Sequence, residues 1–294
     1  MVSAGAPGTA AAPPRARWRV SPVVAVLWAL GMLVVVAWAA PFVWMVSTSL
    51  KQPGDIMTPT IEWLPRRVTS ENYAKVFAQP VLRWLVNSLI VATTATALSL
   101  ISGAMAGYAF ARLQFPGRGV LFFLVLATLM IPSEMTIVPL FIGFLRADLV
   151  NNYAAFILPS VASVFSVYLF RQFFLSLPRE LEDAARVDGA GRFRTFFSIA
   201  LPLARPAVIA AAILLFTTNW NAFLWPLLVA FTEEMKTLPV GMATFAPGVG
   251  GQTQLQSFGP AMAAMTILTI PSLLVFLVLQ RYFIEGVISV GIKG

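Results

Sequence analysis

The side chains that could do chemistry are concentrated in one stretch of this 294-residue chain, 177–206, which reads LPRELEDAARVDGAGRFRTFFSIALPLARP. Its acids, arginines and serine are residue types used in proton transfer, charge pairing and nucleophilic attack. The chain contains no histidine to activate a serine, and it contains no cysteine. Those absences remove the usual nucleophile pairs, the commonest metal ligand and disulfides. We therefore predict no catalytic residue, no metal site and no enzyme activity.

A phosphate-binding loop of the kind found in nucleotide-binding proteins is also not expected. No G-x-x-x-x-G-K-[ST] loop occurs anywhere, and the glycine-rich run GVGG at 248–251 lacks the lysine. If ATP drives this protein, a separate chain must bind it. We expect no cofactor on this chain.

The spacing at the start of the stretch predicts a short helix. Pro178 suits a first turn, where acidic side chains are also favoured, as they occur here at Glu180, Glu182 and Asp183. Glu182 precedes Arg186 by four residues, the favourable order for a surface ion pair. The i, i+3, i+4 rule assigns one face to Leu181, Ala184 and Ala185.

A glycine corner and a second helix are expected next. Gly189, after Asp188, can adopt the left-handed conformation that closes a helix. A second helix then carries Phe193, Phe196, Phe197 and Leu201 at helical spacing, and we expect Pro202 and Pro206 to end it. The stretch is therefore predicted to be a helix-turn-helix outside the lipid.

The remainder of the chain is apolar enough to be a membrane protein. Hydrophobic residues make up 59% of the sequence and charged residues only 11%, too few to cover a soluble domain of this size. Uncharged runs recur at lengths that meet the roughly 20 residues needed to cross about 30 Å of hydrocarbon. We predict an all-α integral membrane protein with six transmembrane helices, at about 22–49, 84–111, 119–143, 150–171, 206–231 and 259–280.

The predicted domain organisation has a tail, one membrane domain and a long loop. Residues 1–19 form a disordered tail, and 20–294 form the transmembrane domain, with the loop at 172–205. The alternative of a signal peptide cut near Ala37-Trp38-Ala39 is weak, because the apolar run continues beyond that site. Residues 241–260 are rich in glycine and polar residues and are expected to be an outer loop.

Basic residues predict the orientation. With the N-terminus in the cytoplasm, thirteen of the 20 lysines and arginines fall on the inner side. The positive-inside rule favours that arrangement. Both termini and the 172–205 loop are then cytoplasmic.

Polar residues inside the spans are candidates for a substrate path. Glu134 is the single ionisable residue within a span and lies between Pro132 and Pro139, which predict a broken helix. It either lines a substrate path or lies near the outer interface. Asn219, Trp220 and Asn221 offer amides and an aromatic face, which suit a sugar, although amides also join membrane helices and tryptophans favour interfaces. Gly103 and Gly107, four residues apart, predict a close-packing face.

The 172–205 loop resembles the EAA loop of permeases from bacterial ATP-binding-cassette importers, and is most similar to that of the MalG-like subunits of carbohydrate importers. The matching positions are Glu182, Asp183, Ala184, Ala185, Asp188, Gly189, Leu201 and Pro202. Asp183 stands where the motif usually has glutamate. The ending GVISVGIKG at 286–294 also resembles the glycine-rich ending of the family, with Gly291 one residue later than expected.

The resemblance implies a type I importer permease fold whose loop is a coupling helix that docks on an ATPase. It also implies a bacterial plasma-membrane location and a sugar or related polyol as substrate. The implied partners are a second, MalF-like permease, two ATPase subunits that hold ATP and Mg²⁺, an extracytoplasmic solute-binding protein and membrane lipid, with no nucleic acid.

Two other functions are compatible with a six-helix membrane protein. An ion-coupled secondary carrier would usually have internal repeats and several buried titratable groups. A membrane scaffold or sensor could use the loop to dock a cytoplasmic partner without transport. One membrane glutamate and no histidine disfavour the carrier.

Overall fold

The computed structural model describes residues 22–58, 60, 62–248 and 254–291. The predicted tail at 1–19 lies outside these residues, as do parts of the GVGG run and the last three residues of the C-terminal ending. The chain divides into a unit that ends at Trp44 and a unit that begins at Met45. The described residues of both units are helical or irregular, with no β-strand among them.

Fourteen α-helices follow one another along the described residues. They are α1 Pro22–Ser49, α2 Glu71–Phe77, α3 Val81–Arg112, α4 Arg118–Ala127, α5 Ser133–Arg146, α6 Tyr153–Val161, α7 Val164–Ser176, α8 Glu180–Val187, α9 Arg192–Thr195, α10 Leu201–Leu203, α11 Arg205–Trp220, α12 Leu224–Val229, α13 Leu238–Met242 and α14 Gln254–Gly291. Several of the shorter helices are halves of one predicted span, separated by a bend or a break.

The described part of the first unit is α1 from Pro22 to Trp44. Its side chains between Val23 and Val43 are almost all exposed, and Trp38 retains 76% of its accessible surface. The segment contains no charged residue. A helix that is apolar on every side is typical of a membrane span.

Within the described ranges, four helical segments are long and apolar enough to cross a membrane, and two bent pairs raise the number to six if each pair is one span. The four are Pro22–Ser49, Val81–Arg112, Tyr153–Ser176 and Phe258–Val278. The bent pairs are Arg118–Met130 with Ser133–Arg146, at 100°, and Arg192–Leu203 with Arg205–Trp220, at 76°. Six spans were predicted; the break in the third was expected from its prolines, whereas the interruption of the fifth, at 206–231, was not.

The first broken span confirms the expected effect of Pro132. The helix ends at Met130, and α5 starts one residue after the proline. Pro139, which was also expected to break the helix, instead lies inside α5. The fifth span is interrupted too, since α11 ends at Trp220 and the chain resumes helical structure only in α12.

The predicted outer loop at 241–260 is shorter than expected. α13 extends to Met242, a 3₁₀ turn follows, and α14 already begins at Gln254. The sequence QLQSF at 254–258 has no glycine or proline, and leucine and glutamine are good helix formers. Helix α14 can therefore start several residues before the end of the region predicted as a loop.

α3 is the central helix of the second unit. It packs against α7, α11 and α6. The predicted close-packing face is confirmed, because a Cβ on Gly107 would lie 2.7 Å from the Phe170 Cβ, and one on Gly103 would overlap Ser166 of α7. Glycine at both positions lets the backbones of α3 and α7 approach closely.

The two ends of α3 are held by polar contacts. At one end, the buried Asn87 amide donates to the carbonyls of Glu234 and Lys236, at 2.7 and 2.8 Å, and accepts from the Tyr153 hydroxyl. At the other end lies Arg112, which contacts the 172–205 loop. The 25 residues between Asn87 and Arg112 span about 37 Å at 1.5 Å per residue. α3 thus connects the loop to the opposite end of the helical bundle.

Candidate functional site

Helix α7, which leads into the 172–205 loop, ends at Ser176, five residues later than predicted. Leu177 is extended, as expected for a residue before proline, and Pro178 leads into α8. The acidic first turn of α8 is confirmed at Glu180, Glu182 and Asp183. Negative charge near a helix start stabilises the helix electrostatically, because the first amides of a helix are unpaired.

The corner after α8 is a Schellman turn. Gly189 has φ of +78°, its N–H donates to the Arg186 carbonyl at 3.0 Å, and the Ala190 N–H reaches the Ala185 carbonyl at 2.9 Å. These two bonds satisfy carbonyls that a helix end would otherwise leave unpaired. The left-handed turn predicted for Gly189 is confirmed, and Asp188 is the exposed residue before it.

The second helical segment continues past the proline that was expected to end it. Residues Phe196–Ala200 form a π turn, with the Leu201 N–H donating to the Phe196 carbonyl, and Pro202 lies inside α10. A widened π turn lets the proline ring avoid the carbonyl that a regular α-helix would place against it. The bend occurs at Ala204, and Pro206 occupies the first turn of α11 rather than a helix end.

Glu182 anchors the loop to the membrane domain. Its side chain is 7% exposed, and its Oε1 lies 3.0 Å from Nε of Arg112, whose side chain is 5% exposed. This is an ion pair at an angle outside hydrogen-bond geometry. Tyr108 donates to Oε2 over 3.3 Å, and Nη2 of Arg112 donates to the Leu177 carbonyl at 2.6 Å. Two residues near the end of α3 therefore hold both the helix α8 and the segment that precedes it.

The surface ion pair expected between Glu182 and Arg186 does not form. Arg186 pairs instead with Asp183, at 3.1 Å, and both of these side chains are largely exposed. The spacing rule treats α8 as an isolated helix, but the Glu182 side of α8 faces α3. Packing against Arg112 therefore takes the Glu182 carboxylate away from its helical neighbour.

Apolar packing supports the same anchor. The Tyr108 ring meets Phe174 edge-on at 5.4 Å and Phe196 at 5.1 Å between ring centroids. Phe174 and Phe196 are buried, at 0% and 4% exposure. Aromatic pairs at these separations add to the free energy gained from burial. The loop is thus fixed to α3 and α7 by both rings and charges.

The three residues predicted to share one face of α8 lie in different environments. Ala185 is buried beside Glu182, whereas Leu181 and Ala184 are exposed. Val187 and Phe193 are the most exposed apolar side chains, at 87% and 72%. Leu201 is half-buried and Pro202 exposed. Exposed apolar side chains on a charged segment mark an interaction surface. We call the set Leu181, Ala184, Val187 and Phe193 the docking face.

The path candidates occupy three different environments. Trp220 is 1% exposed, stacks on Phe216, and donates its indole N–H to the Leu268 carbonyl at 3.1 Å. Asn219 is half-buried and donates to the Thr96 hydroxyl of α3 at 3.3 Å. These positions place Trp220 in the core, and Asn219 between α11 and α3.

Asn221 and Glu134 are accessible. Asn221 is exposed at the end of α11, and its amide donates to the Thr217 carbonyl at 2.9 Å. Glu134 is exposed in the first turn of α5, next to the 100° bend, with Ser133 as its hydrogen-bond partner. Of the four candidates, these two present polar groups that a solute could reach.

Arg112 and Tyr108 were not singled out from the sequence. Arg112 was counted only as one of the inner basic residues, and Tyr108 was part of an apolar run. Their partner Glu182 lies far along the chain, and no local spacing rule connects the two segments. One signal in the sequence pointed to Arg112: an arginine at the end of an apolar span needs a polar partner.

Sequence comparisons place the chain among transport proteins. Residues 99–289 match the family described as "Binding-protein-dependent transport system inner membrane component". The arabinooligosaccharides transport system permease protein AraQ of Halalkalibacterium halodurans is 37% identical over 281 residues, covering 94% of this chain and 99% of that protein. The trehalose/maltose transport system permease protein MalG of Thermococcus litoralis is 34% identical, covering 86% and 91%. The lactose transport system permease protein LacG of Rhizobium radiobacter is also 34% identical, covering 85% and 89%.

A solved structure shares the fold. One chain of a bacterial ABC transporter involved in the import of the acidic polysaccharide alginate superposes with a TM-score of 0.77 at 22% identity. The match covers 90% of this chain and 98% of that one. The all-α membrane permease fold expected from the sequence is therefore confirmed.

Proposed function

Because the chain belongs to the inner membrane components of binding-protein-dependent transport systems, we propose that it is a permease subunit of an ATP-driven sugar importer, with the 172–205 loop as its contact to an ATPase. The observation that carries this proposal is the combination of an exposed docking face with a buried anchor. The docking face offers apolar area to a partner, and the Glu182–Arg112 pair connects the same short helix to α3.

This arrangement suits force transmission. A binding event shifts a conformational equilibrium only by its differential affinity for the two states, so the element that binds must not simply flex. The Schellman turn at Gly189 fixes the corner of the loop, and the ion pair and the aromatic contacts fix its base. Movement of an ATPase bound to the docking face would then move α3, the central helix of the bundle.

A sugar or related polyol is the proposed substrate. The relatives whose names state a substrate include transporters of arabinooligosaccharides, lactose and trehalose/maltose. Amide and carboxylate groups accessible at Asn221 and Glu134 can hydrogen-bond hydroxyl groups. The family membership favours this function over an ion-coupled carrier or a non-transporting scaffold.

The proposed assembly contains a second, MalF-like permease, two ATPase subunits with ATP and Mg²⁺, and an extracytoplasmic solute-binding protein. We place both termini and the loop in the cytoplasm, on the basis of the lysine and arginine distribution. Glu182 has a positioning role in this proposal, because its carboxylate is turned away from the docking face. Asp183, Ala184 and Asp188 are the motif residues that a partner could touch.

The Val187→Asp variant tests the docking face. Val187 is 87% exposed, so a carboxylate there leaves the fold intact but places a charge in an apolar interface. Capture of the ATPase by the tagged permease should weaken by roughly tenfold or more, since an unpaired charge costs several kcal/mol when desolvated. Val68→Asp is the matched control, because Val68 is 73% exposed and lies outside the loop. Equal capture by both variants would refute docking at this face.

The Asn221→Leu variant tests the path. Leucine is similar in size and removes the amide, so assembly should be unchanged and sugar uptake by the reconstituted importer should fall several-fold. Asn219→Leu provides the comparison, because loss of its bond to Thr96 should lower thermal stability as well as uptake. If Asn221→Leu shows normal uptake, Asn221 has only a structural role, in packing or at the end of α11.

A further inference from the structure

The loop and the end of α3 enclose a cleft that is lined by none of the four docking-face residues. Its volume is about 590 Å³, within the range of small-molecule sites. Four arginines line it, from different parts of the chain: Arg112, Arg179, Arg186 and Arg192. Gln114 and the backbone at 190–191 complete its polar wall.

The charges inside the cleft do not balance. Two carboxylates line it, Glu182 and Asp183, and each is already paired with an arginine. Arg179 and Arg192 have no side-chain partner among the described residues. Two guanidinium groups therefore face one half-enclosed space without a counter-ion.

Arg112 forms the buried side of the cleft. Its side chain is 5% exposed, and its Nε lies 3.0 Å from Oε1 of Glu182, in an ion pair outside hydrogen-bond geometry. Glu182 therefore already neutralises Arg112, and the unpaired charge of the cleft is that of Arg179 and Arg192. An anion in the cleft would provide a counter-charge for these two residues.

We propose that this cleft binds a phosphate-bearing anion. Guanidinium groups match phosphate oxygens with two parallel hydrogen bonds, and several arginines around one space are typical of phosphate recognition. The cleft lies where a predicted span, α3, ends at Arg112, the level at which anionic phospholipid headgroups are found. Basic pockets at such positions bind lipid headgroups. A free phosphate ester has the same chemistry.

Binding there would bear on the loop directly. Arg179 precedes α8 and Arg192 follows the Gly189 corner, so one anion held by both would link the two sides of the turn. The bound anion would stiffen the loop between its docking face and its anchor. The proposal concerns binding and can succeed or fail whatever solute the protein transports.

The test is native mass spectrometry of the purified full-length chain in detergent. We compare retention of phosphatidylglycerol with that of phosphatidylcholine, and measure displacement of the retained lipid by inorganic phosphate. Selective retention of phosphatidylglycerol without displacement indicates a lipid headgroup, and displacement indicates that free phosphate is also accepted. Both outcomes support the site, whereas equal retention of the two lipids together with no binding of inorganic phosphate overturns it.

Matched variants locate the site. Arg192→Gln and Arg179→Gln should each weaken binding by about tenfold, the effect of losing one charged hydrogen-bond partner. Arg194→Gln removes the same charge two residues away, at an exposed position that does not line the cleft, and should bind as the native chain does. If Arg192→Gln and Arg194→Gln weaken anion binding equally, the binding depends on general surface charge and not on this cleft. If Arg192→Gln no longer captures the ATPase but binds the anion as the native chain does, the cleft is a contact site for the ATPase and not an anion site.

Discussion

Replacing Glu182 by glutamine should uncouple ATP hydrolysis from uptake. The substitution keeps the size of the side chain but leaves the Arg112 guanidinium buried without its counter-charge. Breaking a buried ion pair by removing one partner costs about 3–5 kcal/mol. That free energy is enough to release α8 from α3, so we expect uptake by the reconstituted importer to fall at least tenfold while ATP hydrolysis continues.

Two further variants distinguish the loss of the Glu182–Arg112 ion pair from the loss of any acidic side chain on α8. Glu180 lies in the same turn, is exposed and has no ion-pair partner in the described structure, so Glu180→Gln should transport normally. The double variant Glu182→Leu, Arg112→Met removes both charges together, and such replacements are often neutral. It should recover thermal stability relative to Glu182→Gln. Coupled uptake in Glu182→Gln at the native level would show that the anchor does not transmit movement.

Replacing Gly189 by valine should give the second largest effect, by a different route. Gly189 has φ of +78°, and a β-branched residue is strongly disfavoured there. A Cβ at this position would meet no atom within 4 Å, so the penalty is in the backbone alone, about 1–2 kcal/mol or more. The Schellman turn should open, and the sugar transported per ATP hydrolysed should fall several-fold.

Gly191 provides the matched control for this variant. It too has free space where a Cβ would lie, but its φ of −71° suits any residue. Gly191→Val should therefore retain coupling, and Gly189→Asn should be intermediate, because asparagine tolerates the left-handed conformation. If Gly189→Val and Gly191→Val have the same coupling ratio, the left-handed corner is not required.

Local features of the loop could be predicted from the sequence. The acidic first turn of α8, the left-handed Gly189 and the break at Pro132 each depend on residues within a few positions of one another. Backbone sterics and helix-end electrostatics act over that range, so the sequence contains the necessary information. The close packing at Gly103 and Gly107 was predictable because small residues four apart permit close helix packing, but the partner helix, α7, was not.

The orientation of α8 could not be predicted in the same way. The spacing of Leu181, Ala184 and Ala185 identifies an apolar stripe, but not which element covers it. α3 meets α8 at Glu182, since Arg112 and Tyr108 provide polar partners there. Tertiary contacts of this kind override the pairing that an isolated helix would favour.

Trp220 and Pro202 illustrate two further limits. An aromatic residue beside two asparagines suits a sugar path, but the helices α11 and α14 bury its ring and satisfy its N–H. Proline usually ends a helix, but a π turn immediately before Pro202 accommodates it. In both cases a neighbouring element or an unusual turn, which the local pattern does not encode, determines the result.

Cross-linking from the docking face tests the central claim most directly. The chain contains no native cysteine, so Val187→Cys introduces a single reactive thiol at an 87% exposed position. In the assembled transporter, a short thiol-reactive cross-linker should join this residue to the ATPase, and Val68→Cys should give no such product. Cross-linking to the ATPase from Val68→Cys but not from Val187→Cys would contradict the account.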